Sequence, residues 1–402
     1  MEHHKFEGEI GAITPGQLEF IKNVIEQEGF KDSKVTFEAV GAAGDNYAAS
    51  VKRILIEGES GNLTMIAKIA PVHEILRKTV NTPLMFSNEH LMYTEVLPKL
   101  LLLQKQAEIP EEDLLKFPKC YGASIQAPNE VILIEDLKVS GFEMLDRLKP
   151  LPEECMKSAL RNLAVFHSLS YVLKNKEPDT YNYYKDNLGD MWGSLSEKSP
   201  MELTHFKQIE TAAINMLDDV EHQDVMRHKV SDIAIRAAKM TKFENNSRNA
   251  VIQHGDCWTN NIMFKFEASI LFTFFYFYKK LCFISVKSFY DWLDYYHSEL
   301  DKSLNNYGIK ANYVYPKDQL DADVKRYGRL GFACAVITSG VLNLKPEEAL
   351  KLQASFASPN PEDVIAVLAD IGHDLRSGPG SKLVISLPQW FFFFFSMGKI
   401  IL

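Results

Sequence analysis

The chain has 402 residues, 46% of them apolar and 24% charged, with a formal net charge of −9. That length exceeds what one hydrophobic core usually supports, so two lobes are expected. The acidic balance excludes nucleic acid or an anionic membrane as the main partner, because either favours a basic patch. The opening Met1-Glu2-His3-His4-Lys5-Phe6-Glu7 has no apolar stretch, so no secretory signal is expected. The most apolar run, Ile270–Tyr278, is broken by Lys279 and Lys280 and is too short for a transmembrane segment. Five scattered cysteines without CxxC spacing read as reduced thiols of a cytoplasmic protein.

Residues 16–28 read as a helix, with Leu18, Ile21, Val24 and Ile25 on one face and Gly29 beyond it. Three strands are expected next, Val35–Val40, Ala48–Glu57 and Leu63–Ile69. The small-residue segment Gly41–Asn46 joins the first two, a turn at Glu59–Asn62 joins the second pair, and Pro71 ends the third. A helix over Ser87–Leu102 is followed by strands Phe117–Ser124 and Val131–Glu135, separated by the turn Ala127-Pro128-Asn129. Met156, Leu160, Leu163 and His167 recur at helical spacing in Pro152–Lys174. Helices over 200–242 lead to a short strand, Ala250–Gln253, and further helices are expected at 289–305, 317–343 and near the C-terminus. This order predicts an α+β protein with a small β-rich lobe over 1–137 and a larger helical lobe over 138–402. A small ligand is expected between the two lobes.

The strongest local signal is His254-Gly255-Asp256-Cys257-Trp258-Thr259-Asn260-Asn261, within a loop spanning 251–264. An Asp followed five residues later by an Asn is the spacing of phosphoryl-transfer enzymes, where the Asp accepts the attacking hydroxyl's proton and the Asn holds magnesium. Upstream, Gly41 and Gly44 lie in a loop whose backbone can approach phosphates. Lys68 interrupts an apolar strand, and Glu89 follows on the next helix, as the lysine and glutamate of a kinase do. The apolar strand ending at Glu135-Asp136-Leu137 has the form of a hinge whose backbone holds adenine. Each feature alone also fits a plain role: a capped turn, a hairpin loop, a surface lysine, a solvated helix face, a strand end. Their order along the chain is that of the bilobal kinase plan.

On these residues the chain resembles the ecdysteroid kinase-like (CHK kinase-like) family, relatives of the aminoglycoside and choline kinases. The matching segments are Gly44–Ser50, Ile66–Pro71, Glu89–Pro98, Phe117–Tyr121, Leu133–Leu137, Leu163–Ser170 and His254–Phe264, with a weaker likeness at Trp292–Leu300. The resemblance implies a protein kinase-like fold and phosphorylation of a small hydroxylated substrate, ecdysteroids being the eponymous one, with ATP and Mg2+. It implies Asp256 as catalytic base, Asn261 as metal ligand, and Lys68 on the nucleotide phosphates held by Glu89. Gly41, Gly44, Asp45, Asn46, Glu135 and Leu137 would complete the nucleotide site.

Family members follow the HGD loop with a strand ending in Asp-Phe-Gln or Asp-Phe-Gly, whose Asp chelates magnesium. Here no Asp occurs between Asp256 and Asp291. Eight of the 25 phenylalanines crowd between Phe264 and Phe289 instead, and five more form Phe391–Phe395, marking 268–288 and 390–402 as atypical. Phe, Tyr, Ile, Leu and Lys are the residues of A/T-rich codons, as in translated non-coding sequence; a genuine apolar strand or helix is the alternative. Two functions follow: a small-molecule kinase, or a pseudokinase-like protein that binds nucleotide without turnover.

Overall fold

The computed structural model describes residues 4–11, 13–41, 49–145, 151–190, 204–215, 217, 220–244, 247–253, 261–267, 270–274 and 286–342, with a few single positions beyond. The chain divides into two compact units. Met1–Pro98 and Phe117–Gly141 belong to the first, and Lys99–Lys116 and Phe142–Leu344 to the second.

The first unit is built on a six-stranded mixed sheet. Strand β1 (His4–Gly8) precedes helix α1 (Pro15–Gln27) and strands β2 (Ser33–Ala39), β3 (Ser50–Gly58) and β4 (Gly61–Ile69). Short helix α2 (Glu74–Thr79) and helix α3 (Thr82–Leu91) follow, then a π turn at Met92–Val96 that leads into helix α4 (Leu97–Gln106), most of which belongs to the second unit. Strands β5 (Cys120–Ser124) and β6 (Val131–Glu135) complete the sheet in the order β1-β2-β3-β4-β6-β5. All its pairings are antiparallel except β1 with β2.

Strand alternation sorts this sheet into two faces. Val35 and Phe37, Ile54 and Ile56, and Met65, Ala67 and Ile69 share one buried cluster with Ile21, Val24 and Ile25 of α1. Helix α1 starts with a capping box: Gln17 N–H donates to the Thr14 hydroxyl while Thr14 N–H donates to the Gln17 side chain. It also approaches β5 so closely that a Cβ on Gly122 would lie 2.7 Å from Val24, so only glycine fits there. The expected helix Ser87–Leu102 begins earlier, at Thr82, and contains Pro98 near the start of α4. Proline offers no N–H and its ring crowds the carbonyl four residues back; the π turn just before Leu97 relaxes that conflict.

The second unit is mainly helical. It contains strand β7 (Glu143–Met144) and helices α5 (Glu153–Lys176), α6 (Pro178–Asn187), α7 (Thr204–Asn215), α8 (Val220–Met226) and α9 (Ile233–Glu244). Strands β8 (Met263–Glu267) and β9 (Ile270–Phe274) follow, then α10 (Val286–Asn305), α11 (Ala311–Val314) and α12 (Lys317–Leu342). β8 lies between β7 and β9 in a small antiparallel sheet. The α+β class is therefore as expected, with the large sheet ahead of a helical remainder.

One expected strand is absent. Ala250–Gln253 is buried but joins no sheet. Side chains of α5 and α6 take its backbone groups instead. The Tyr171 hydroxyl donates to the Asn249 carbonyl at 2.9 Å, and the Tyr181 hydroxyl to that of Ala250 at 3.1 Å. Lys174 also reaches the Ala250 carbonyl, and Ile252 N–H donates to Ser170 Oγ at 3.0 Å. Those bonds satisfy buried polar groups that a sheet would otherwise have to pair.

Candidate functional site

Lys68 lies on β4, across from Val51 of β3 and Ile132 of β6, and so emerges from the middle of the sheet rather than its edge. Its neighbours Ala67 and Ile69 belong to the α1 cluster, so Lys68 points to the opposite face. There it forms an ion pair with Glu89 of α3. Phe86, one turn earlier on the same helix, is fully buried, and its ring centroid is 5.7 Å from Lys68 Nζ. Both ends of the pair are about three-quarters buried, at 26% and 23% exposed, so the lysine is fixed while its ammonium keeps access to an anion. Two residues singled out 21 positions apart in sequence are thus brought into direct contact.

Cys120 of β5 lies near Glu89. Burial pushes its thiol up to about 11, and the Glu89 charge adds to the shift, so it stays protonated and does not act as a nucleophile.

Gly41 follows β2 with φ of +91°, a left-handed conformation that side chains with a Cβ rarely adopt. The chain thus turns sharply into the loop that carries Gly44, Asp45 and Asn46, which lie outside the described residues. At the other end of the sheet, Glu135 closes β6. Its carboxylate accepts from Lys119 N–H at 3.2 Å and from the Ser140 hydroxyl at 3.0 Å, and its own N–H donates to the Lys119 carbonyl. Leu137 is buried, and the turn after it is closed by Ser140 N–H on the Leu137 carbonyl.

In the second unit, His254 and Asp256 lie outside the described residues, but the chain on either side is described. Before them, Ala250–Gln253 is held on α5 and α6. After them, Asn261 is half-buried and leads into Ile262, Met263 and Phe264, all buried. Its carboxamide oxygen is a hard donor of the type magnesium accepts, and magnesium commonly takes only one or two protein ligands, completing its shell with water and substrate phosphates.

The aromatic stretch after this loop is a strand in its first part: β9 pairs residue for residue with β8, from Met263 opposite Phe274 to Glu267 opposite Ile270. Residues 275–285 and 390–402 lie outside the described residues. Downstream, Asp294 binds Lys317 at 2.9 Å and Asp291 is exposed on α10, so neither has the surroundings of a metal ligand. Among the described residues no group of three or more His, Cys, Asp and Glu assembles for a metal, and no helix is long and apolar enough to cross a membrane.

Sequence reasoning missed the ion pairs of two buried acids that fix this part of the chain. Glu130 takes a two-pronged contact from Arg77 at 2.8 and 2.5 Å, and Asp136 accepts from Arg53 Nε at 2.6 Å. The available signal was an acid next to one end of the apolar run Val131–Ile134 and another one residue beyond its other end, where burial demands a partner.

The sequence profile of the ecdysteroid kinase-like family matches residues 43–276, well over half of the chain and reaching through β9. No curated protein matches it. Among solved structures, a Plasmodium vivax ethanolamine kinase is similar at 12% identity and a TM-score of 0.32, over 86% of this chain and 82% of that one.

Proposed function

Because the chain belongs to the ecdysteroid kinase-like family, we propose that it is an ATP-dependent kinase of a small hydroxylated molecule. The Lys68–Glu89 ion pair is the observation that carries this reading. A solvated lysine needs no buried partner, whereas one that must hold phosphate oxygens in a fixed place does. In the proposed mechanism Lys68 binds and orients the nucleotide phosphates, and the loop entered at Gly41, with Gly44, Asp45 and Asn46, offers them backbone N–H groups. The Glu135–Leu137 backbone receives the adenine. Asp256 accepts the proton of the acceptor hydroxyl as its oxygen bonds to the γ-phosphorus and the bond from phosphorus to the ADP oxygen breaks. Asn261 would hold magnesium, which when bound neutralises charge on the phosphates. The protein is proposed to be cytoplasmic, and an ecdysteroid-like steroid is the first acceptor to try.

The test is ATP consumption over a panel of hydroxylated small molecules that includes ecdysteroids. Turnover with one acceptor that is lost in Asp256→Asn supports the kinase. A second reading, a nucleotide-binding protein without turnover, is favoured by the lack of any Asp between Asp256 and Asp291. ATP binding with no consumption by any acceptor would establish it.

A further inference from the structure

The face of the large sheet turned away from α1 carries a second charged contact besides that of Lys68. Glu38 of β2 and Arg53 of β3, each next to a core position, Phe37 and Ile54, lie opposite one another. Arg53 in turn lies opposite Ile66 on β4, two residues before Lys68 and on the same face. Arg53 Nε donates to Asp136 Oδ2 at 2.6 Å, and its Nη1 lies 3.7 Å from Glu38. Asp136 is 3% exposed. Its second oxygen accepts from Lys138 N–H at 3.1 Å, and its carbonyl accepts from Val139 N–H at 3.0 Å. One carboxylate therefore ties β3 to the turn that follows β6. A shift of the Glu135–Leu137 backbone would break a charged bond to a buried carboxylate, which is costly.

We propose that Arg53 is a positioning residue for the nucleotide: through Asp136 it holds the Glu135–Leu137 backbone in a fixed place relative to Lys68. This rests on the nucleotide site proposed above and adds to it a residue that touches neither adenine nor phosphate. Adenine and phosphates would then be gripped by one rigid frame, whose preorganisation lowers the cost of binding.

The experiment is calorimetric titration of the full chain with ATP and magnesium chloride, alongside circular dichroism and thermal melting. Arg53→Met is expected to weaken ATP binding about tenfold. If turnover is present, KM for ATP should rise by a like factor with kcat nearly unchanged. Arg53→Lys keeps the charge but loses the guanidinium geometry, so it should fall between the two. Replacing both partners, Arg53→Met with Asp136→Leu, should restore melting without restoring ATP affinity, because the acceptor for Lys138 N–H is gone. A folded Arg53→Met that binds ATP like the wild type overturns the proposal. Should Arg53→Met not fold, wild-type affinity in Arg53→Lys or in the double variant overturns it equally. A wild type that binds no ATP sinks the nucleotide site and this inference together; equal binding by wild type and variants sinks the inference alone.

Discussion

Arg77 and Glu130 show how a buried acid is kept charged. Burial alone raises the Glu130 carboxyl, but the hydrogen bonds and charge of Arg77 outweigh it and hold it below its ordinary 4.5. Arg77 also donates to the Pro71 carbonyl at 3.0 Å, so one guanidinium secures the end of β4 and the start of β6. Arg77→Ala leaves a carboxylate 1% exposed without its cation. It is expected to cost about 3–5 kcal/mol in urea unfolding at pH 7. Lys68 and Glu89 answer to a different measurement. Lys68→Met should lower kcat/KM by about 10² or more if the protein turns over. The same change should leave unfolding within about 1 kcal/mol of the wild type, because the pair is partly exposed.

At the scale of elements, α5 is the scaffold of the second unit's loop. Ser170 is fully buried and its Oγ accepts from Ile252 N–H, two residues before His254. Ser170→Ala strands that N–H away from water and is expected to cost about 1–3 kcal/mol by denaturant unfolding. Turnover should fall by more than the stability loss explains, because the segment leads directly into the loop that carries Asp256. This arrangement also shows what a sequence can and cannot reveal. Val131–Glu135 was legible to the residue, because a four-residue apolar run, Val131–Ile134, between a turn and a pair of acids has few other uses. Ala250–Gln253 looked like a similar strand, yet its partners are side chains from two helices, which leave no periodic trace. β1 was missed because His4–Gly8 is polar and its pairing depends on β2, far along the chain. Lys68 and Glu89 were legible as a pair from their order in a known plan. Arg53 and Asp136 were not, since they are 83 residues apart and belong to no motif.

For the whole molecule, acid is the discriminating stress. His167 of α5 is 2% exposed and shares a 2.8 Å hydrogen bond with the Tyr296 hydroxyl of α10; burial lowers its pKa from 6.5 to about 3. Above pH 6.5 the ring is neutral folded and unfolded, so its contribution is intact. Below that, the unfolded chain takes up a proton that the folded one refuses, and stability falls by about 1.4 kcal/mol per pH unit until the folded ring titrates near 3. His4, also lowered by burial, acts in the same direction. Glu130 enters later, its contribution present above 4.5 and lost as the pH drops through its lowered folded value. Urea midpoints at pH 7, 6 and 5 should therefore decline before any carboxylate of ordinary pKa titrates, and His167→Gln should flatten that decline. The long helix from Thr82 to Gln106 adds a constraint of another kind. In a uniform α-helix Glu89 and Val96, seven residues apart, would lie within about 20° of one line. The π turn that ends at Val96 offsets that phase by roughly 100°, one residue's rotation, so the acid that meets Lys68 and the fully buried valine look in different directions. Alanine at the exposed Thr94 should be nearly silent, whereas deleting Thr94 would turn one half of the helix against the other. Chain length, more than residue identity, is what this stretch cannot change.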